Sequence, residues 1–289
     1  MSGITVFIVS VGPNAFPDNL RQTIRDVSEK IGVDDYSFYV VVGSKELEQT
    51  ALQSIPPGHL TEVRQTMGWW ADDFNTFFQR YAEQTEWFLM CHDDIAIETP
   101  DFFKKTMAEI HGATEEIGWI TYSNTQYHVV HASVSVRGGF YKDRLAFQAF
   151  ECHLPGKLDY PKRAVKTYGP YSHFNLIRTS AMKKVGPCPR WTEYTILVDE
   201  NWALQSVIKG LTNIWVPNVF YCHPNPKNAA NRGCDLRLEP DAHRAFVAKW
   251  GFSTPFSDQV ISALLSKYPH LSCLANRHSF DWVYLKPEV

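Results

Sequence analysis

The chain has 289 residues and a formal net charge of −3, with 44% hydrophobic and 20% charged residues. These values are typical of a folded protein with a substantial core, and the small net charge disfavours a global nucleic-acid-binding surface. The six cysteines form no C-x-x-C pair, and neither a signal peptide nor an apolar run of about 18 residues is evident. We therefore expect free thiols and no transmembrane segment, in a cytoplasmic protein or one attached peripherally to a membrane.

The N-terminal part of the chain predicts alternating strands and helices. Apolar, β-branched runs at 4–11 and 36–42 predict two strands, and apolar residues between them recur at helical spacing over 20–31. A shorter strand is expected at 60–66, followed by a helix with an aromatic face over 70–81. Because a strand–helix–strand unit of this length joins parallel strands, the pattern predicts a parallel sheet.

The next apolar run, from Trp87, ends abruptly in two adjacent carboxylates, Asp93 and Asp94. A buried strand that delivers acids to its carboxyl end places them where ligands bind in open α/β sheets. Taken alone, such a pair is more often a turn or a helix cap than a site. Thr99 and Pro100 then predict the N-cap and first position of a helix, which Gly112 ends.

The chain from about 126 to 188 has a looser pattern, with a turn predicted at Arg137–Gly139. Order returns with a helix from Asp199 to Gly210. Its predicted packed face contains Glu200 and the apolar residues 204, 207, 208 and 211. A last strand at 214–222 ends at His223.

Acidic residues and histidines therefore lie at the ends of three predicted elements: His92–Asp94, Asp199–Glu200 and His223. Carboxylates and imidazoles in such places suit a divalent cation such as Mn²⁺ or Mg²⁺, and the second acidic pair could supply a general base. The Cys-His dipeptides at 91, 152 and 222 are too scattered to favour structural zinc.

The order of these features resembles the GT-A glycosyltransferases, closest to the broad family 2 of nucleotide-sugar-dependent enzymes. The resemblance extends from about Ile4 to Pro224. The matching segments are Val11-Gly12-Pro13-Asn14, the helix bearing Asn75, Leu89–Asp94, Phe174–Arg178 with Lys184-Val185-Gly186, Asp199–Gly210 and Val216–His223.

The resemblance implies transfer of a hexosyl or pentosyl group from a nucleoside diphosphate-sugar to a glycan or other hydroxyl-bearing acceptor. Asp94 and His223 would hold Mn²⁺ or Mg²⁺ together with His92, which stands where the family has an acid. Asp93 would face the ribose or the donor sugar. In the inverting reaction usual for the family, Glu200 would be the general base, with Asp199 as the adjacent alternative.

The same resemblance implies further donor contacts. These residues are Val11, Gly12 and Asn14 after the first strand, Gly43 and Ser44 after the second, Asn75, and Arg232 in a polar loop that could close over the diphosphate. Gly43-Ser44 occupies the position where the family usually has an acid that reads the base.

We therefore expect an α/β protein of GT-A (Rossmann-like) type, with a mixed, mostly parallel sheet flanked by helices. Residues 1–234 would form the glycosyltransferase domain, with a nucleotide-sugar-binding half at 1–125 and an acceptor-binding half at 126–234. Residues 235–289 would form a C-terminal helical extension.

Two other functions compete with this interpretation. A sugar-nucleotide- or glycan-binding domain of the same fold with weakened catalysis is favoured by the departures at His92 and Gly43. A nucleotidyltransferase would need a Gly-rich basic loop after the first strand, and Val11-Gly12-Pro13-Asn14 is a poor one.

Overall fold

The computed structural model has a mixed α/β architecture. It describes residues 3–12, 15–68, 70–124, 135–141, 144–151, 162–167, 174–188, 202, 205–206, 209–223, 244, 248 and 284–286. The strands in chain order are β1 (Ile4–Ser10), β2 (Tyr36–Val42), β3 (Leu60–Gln65), β4 (Trp87–His92), β5 (Ala96–Ile97), β6 (Ile117–Asn124), β7 (Ser135–Tyr141), β8 (Arg144–Glu151), β9 (Val165–Thr167), β10 (Phe174–Arg178) and β11 (Thr212–Cys222). The helices are α1 (Pro17–Lys30), α2 (Lys45–Ser54), α3 (Trp70–Tyr81), α4 (Phe102–Ile110) and α5 (Thr179–Val185).

Nine of the described strands form one sheet, in the order β3-β2-β1-β4-β10-β6-β11-β5, with β9 also paired to β11. Strands β1 to β4 are mutually parallel along this order, and β6 is parallel to β11. Strand β10 is antiparallel to both of its neighbours, β4 and β6. The sheet is therefore mixed and mostly parallel, as the sequence predicts, while β7 and β8 form a separate antiparallel pair.

Helices pack on both faces of the large sheet because successive strand residues point to opposite sides. In β1, Val6 and Ile8 lie in the core cluster that contains the apolar residues of α1 and α2. Phe7, between them, lies in a second cluster with Phe74 and Phe77 of α3. The result is a three-layer arrangement with a buried central sheet.

Three local features differ from the sequence-based expectations. Helix α2 was not expected, although the hydroxyl of Ser44 accepts a hydrogen bond from the Leu47 amide at 3.2 Å and caps it. The expected helix start at Thr99–Pro100 is wrong, since α4 begins at Phe102 with Asp101 as its N-cap. The expected turn at 137–139 is also wrong, because these residues lie within β7 at a register shift typical of a β-bulge.

Residues 284–286 pack against the main body of the protein. Tyr284 forms a bridge with Val165, and the Leu285 amide donates to the Ala164 carbonyl at 2.9 Å. Most of the expected helical extension at 235–289 lies outside the described residues. Among the helices that the structure describes, none is long and apolar enough to span a membrane.

Candidate functional site

The candidate site lies where the order of the sheet reverses. From β1 the chain builds outward to β2 and β3 on one side, while β4 pairs with β1 on the other. Such a switch point leaves a crevice at the carboxyl ends of the two central strands. Here the Ser10 hydroxyl, at the end of β1, donates to Asp93 Oδ2 at 2.7 Å. The first acid of the pair is thus tied to the neighbouring strand.

Strand β5 connects the second acid, Asp94, to β11. It follows Asp94 after one residue and pairs antiparallel with the end of β11, with Cys222 opposite Ala96. This pairing places His223, the residue after β11, beside Asp94. The His223 Nε2 atom lies 2.9 Å from Asp94 Oδ1, and both side chains are largely buried.

His92 completes the cluster from the end of β4. Its ring centroid lies 5.7 Å from that of His223, at an interplanar angle of 71°. One possible ligand atom each from His92, Asp94 and His223 can be chosen so that all three lie within 4.8 Å of one another. Two imidazoles and a carboxylate are a donor set that a first-row divalent metal accepts. The side chains therefore fit the cation that the sequence predicts at these three positions.

Cys91 lies next to the cluster in sequence but belongs to the core. Its side chain is 1% exposed, and the thiol donates to the His92 carbonyl at 3.3 Å. Burial raises the pKa of the Cys91 thiol well above its ordinary value, and the carboxylates of Asp94 and Asp93 raise it further. Because the metal-binding form of cysteine is the thiolate, this thiol is poorly suited to be a ligand.

The loops after β1 and β2 meet at the same edge of the sheet. The Gly43 amide donates to the Ser10 carbonyl at 2.9 Å, and a Cβ atom at Gly43 would lie only 3.3 Å from the Cα atom of Val11. Glycine thus permits the close approach of the two loops. Val11, Gly12 and Gly43 are exposed beside the acidic pair, whereas the Ser44 hydroxyl caps α2.

Asn75, a predicted donor-binding residue, holds a neighbouring segment through its side-chain amide. Its Nδ2 donates to the Cys188 carbonyl at 3.0 Å, and its Oδ1 accepts from the Cys188 amide at 2.8 Å. This pair of bonds links α3 to the chain that follows α5. Both polar atoms of the Asn75 side-chain amide are therefore engaged with the protein's own backbone.

Four predicted site residues, Asn14, Asp199, Glu200 and Arg232, lie outside the described residues. Trp202, which follows Asp199 and Glu200 closely in sequence, is 1% exposed. Its ring centroid lies 4.9 Å from those of Phe74 and Trp119. Ser206 is also buried. The packed face predicted for this helix omitted both buried residues, so it gives no ground for preferring Glu200 to Asp199.

Sequence reasoning missed the residues that support the acidic turn. Ser10 contacts Asp93 directly, and Thr23 and Asp26 of α1 bind the backbone that follows Asp94. The partners of Thr23 and Asp26 are backbone groups more than 70 positions away, so no local sequence pattern indicates these contacts. Ser10 could have been found, because its hydroxyl ends β1 beside a predicted parallel strand that ends in acids.

Comparison with known proteins gives a result at the level of the fold. No family model matches the sequence, and no curated protein sequence matches it. The crystal structure of GalNAc-T7 with UDP, GalNAc and Mn²⁺ is similar, with a TM-score of 0.55 and 10% identity over 78% of this chain and 44% of that chain. The structure of S. aureus TarS has a TM-score of 0.52 and 11% identity over 93% of this chain and 44% of that chain.

The chain thus spans less than half the length of each of these two structures. At such low identity the likeness establishes architecture alone, and it agrees with the mixed sheet found here. The chain has a GT-A-like fold.

Proposed function

We propose that this chain is a metal-dependent glycosyltransferase that moves a hexosyl or pentosyl group from a nucleoside diphosphate-sugar to a hydroxyl of a glycan or other acceptor. The observation that carries the proposal is the cluster of His92, Asp94 and His223 at the switch point of a GT-A fold. The similar GalNAc-T7 structure holds UDP and Mn²⁺, which supports this pair of ligands as the first to test.

In this proposal the strand ends bind the donor. Asp93, oriented by Ser10, faces the ribose or the donor sugar, while the loops at Val11–Gly12 and Gly43 receive the nucleoside. His92, Asp94 and His223 would hold Mn²⁺ or Mg²⁺. When bound there, the cation would supply a Lewis acid for the charge on the departing diphosphate.

The transfer step needs a base for the acceptor. Glu200 or Asp199 takes the proton of the acceptor hydroxyl as its oxygen attacks the anomeric carbon. The new glycosidic bond forms while the bond from that carbon to the diphosphate oxygen breaks, and the oxygen leaves with the electron pair. Attack from the side opposite the diphosphate inverts the configuration. Arg232, for which the sequence predicts a polar loop, would close over the diphosphate.

Thermal stability in the presence of nucleoside diphosphates tests the proposal. We expect one of UDP, GDP, CDP and ADP to raise the melting temperature by several degrees when Mn²⁺ is present, because a ligand at about 100 times its Kd adds roughly 2.7 kcal/mol. Asp94→Asn should lose this shift. The control Asp18→Asn, at a carboxylate that is 90% exposed on α1, should keep it.

The outcome that contradicts the proposal is equally plain. If no diphosphate shifts the protein with or without Mn²⁺, or if Asp94→Asn responds like the wild type, the metal-dependent donor site is not where we place it. The same assay applied to Glu200→Gln and Asp199→Asn should show normal binding. One of the two variants should then lose release of the diphosphate from the matching nucleotide sugar.

A binding domain of the same fold is the second candidate, favoured by the absence of an acid at Gly43–Ser44. It predicts the same Mn²⁺-dependent shift in melting temperature but no release of diphosphate from any nucleotide sugar, with or without added acceptors. Measurement of diphosphate release therefore distinguishes the two functions.

A further inference from the structure

Helix α1 carries a stripe of polar side chains, Thr23, Asp26 and Lys30, on the face that meets β5. The Thr23 side chain is fully buried and that of Asp26 is 4% exposed. Buried polar groups of this kind normally have specific hydrogen-bond partners. Here the partners are backbone atoms of two residues that follow the acidic pair, Ile95 and Ile97.

Thr23 binds both polar atoms of Ile95. Its hydroxyl donates to the Ile95 carbonyl at 2.9 Å and accepts from the Ile95 amide at 3.1 Å. Ile95 directly follows Asp94 in the chain. The hydroxyl therefore fixes the Ile95 backbone, which is bonded directly to Asp94, the residue with the proposed metal-binding carboxylate.

Asp26 and Lys30 do the same for Ile97. Asp26 Oδ2 accepts from the Ile97 amide at 3.1 Å, and the Lys30 ammonium donates to the Ile97 carbonyl. The ammonium also lies 3.0 Å from Asp26 Oδ1, which compensates the buried charge. Together the three side chains act on 95–97 as a neighbouring strand would.

The acidic turn is thereby fixed on both sides. Before it, β4 is paired with β1 up to His92, which lies opposite Val9. After it, β5 lies between β11 and the polar stripe of α1. Pairing with β11 alone could hold a short edge strand. The bonds from α1 are additional, and since they act on the residue next to Asp94, they restrict the backbone position of Asp94 itself.

We propose that Thr23, supported by Asp26 and Lys30, is a positioning residue for Asp94 and sets the affinity of the site for its divalent cation. This inference rests on the proposed function, since it assumes that Asp94 is a metal ligand. Groups that orient a ligand typically change metal affinity by about 10–100-fold when removed. Because Thr23 acts through one backbone unit, we expect a loss of about tenfold.

The test is Mn²⁺ titration of the full chain, with unbound Mn²⁺ measured by electron paramagnetic resonance. Thr23→Val keeps the shape but removes both hydrogen bonds, and should weaken Mn²⁺ binding about tenfold. Thr23→Ser restores the hydroxyl and should bind nearly as the wild type does. Urea unfolding of each variant without metal measures the accompanying loss of stability.

Thr106→Val is the matched control for a purely structural effect. Thr106 is also a fully buried helical threonine with two hydrogen bonds, to the Phe102 carbonyl and the Tyr122 hydroxyl. Its loss should lower stability to a similar extent and leave Mn²⁺ affinity unchanged. If Thr23→Val does not fold, Lys30→Met provides the test, since Lys30 is 29% exposed and reaches Ile97 from the solvent side.

Wild-type affinity in Thr23→Val, or in Lys30→Met when that variant is used, overturns the inference and leaves the proposed function intact. Equal weakening by Thr23→Val and Thr106→Val overturns it as well. If the wild-type protein binds no Mn²⁺, the proposed metal site fails and the positioning role fails with it. Each failure is thus distinguishable.

Discussion

At the scale of single residues, the character of the site follows from His92. An acid at this position would give a mainly oxygen-based donor set, whereas the cluster of His92, Asp94 and His223 offers two imidazoles and one carboxylate. Imidazole nitrogen suits first-row transition metals, while Mg²⁺ prefers oxygen ligands and keeps several waters. We therefore expect a cation site with this donor set to prefer Mn²⁺ to Mg²⁺.

We expect the protein to bind Mn²⁺ at least tenfold more tightly than Mg²⁺, measured by calorimetric titration of each ion at the same pH. The variant His92→Asp should narrow this preference, because it replaces a nitrogen ligand with oxygen. Equal affinities of the wild type for the two ions would contradict the expected preference. An unchanged preference in His92→Asp would show that His92 does not set it.

The residues that could be predicted are those with a local signal. His92 ends β4, Asp94 follows two residues later, and His223 follows β11. Because parallel strands bring their carboxyl ends to one edge, the grouping of these residues follows from the sequence. Thr23 and Asp26 lie on the helix of a βαβ unit and bind backbone atoms far along the chain. Their role depends on tertiary packing, which the sequence pattern does not encode locally.

At the scale of elements, the apolar runs predict β1, β2, β4 and β11 well, because buried strands need them. Helix α2 was missed although Ser44 caps it, since its apolar face is short and only Leu47, Thr50 and Ala51 are buried. The expected start at Thr99 failed for a tertiary reason. Its hydroxyl accepts from the Phe220 amide at 2.8 Å and so joins the β5–β11 connection, while the helix starts at Phe102.

Trp202 links the segment with the two candidate bases to the rest of the fold. Its ring packs on Phe74 of α3 and Trp119 of β6. Trp202→Ala should lower the free energy of unfolding by about 3–5 kcal/mol, because it leaves a large cavity between these elements. The measurement is urea unfolding followed by circular dichroism.

Trp202→Phe is the control for this change. It keeps an aromatic ring between Phe74 and Trp119 and should cost clearly less than the alanine variant. A loss of less than about 1 kcal/mol in Trp202→Ala would contradict the packing described here, since truncation of a buried tryptophan normally costs several times as much.

At the scale of the whole molecule, the parallel order of the first four strands is predictable from βαβ spacing, but the reversed strand is not. Strand β10 lies antiparallel between β4 and β6, and its five residues, two of them polar, carry no pattern that indicates the direction of the strand. Its position depends on the path of the chain between 125 and 173, where the sequence pattern is loose. The switch point between β1 and β4, by contrast, does not depend on that path.

This arrangement explains why the site gathers residues from distant parts of the chain. Ser10, His92 to Asp94 and His223 end three different strands, and β5 crosses from the end of β4 to pair with β11. The large sheet fixes these ends relative to one another. A site built on strand ends is held rigidly, which favours a preorganised ligand set.

The most direct test of the central claim is a crystal structure of the protein with Mn²⁺ and the nucleoside diphosphate that stabilises it, with anomalous scattering recorded at the manganese edge. We expect one manganese peak at about 2.0–2.3 Å from side-chain atoms of His92, Asp94 and His223, with the diphosphate over the ends of β1 and β4. A manganese peak elsewhere, or a diphosphate bound away from this edge, would contradict it.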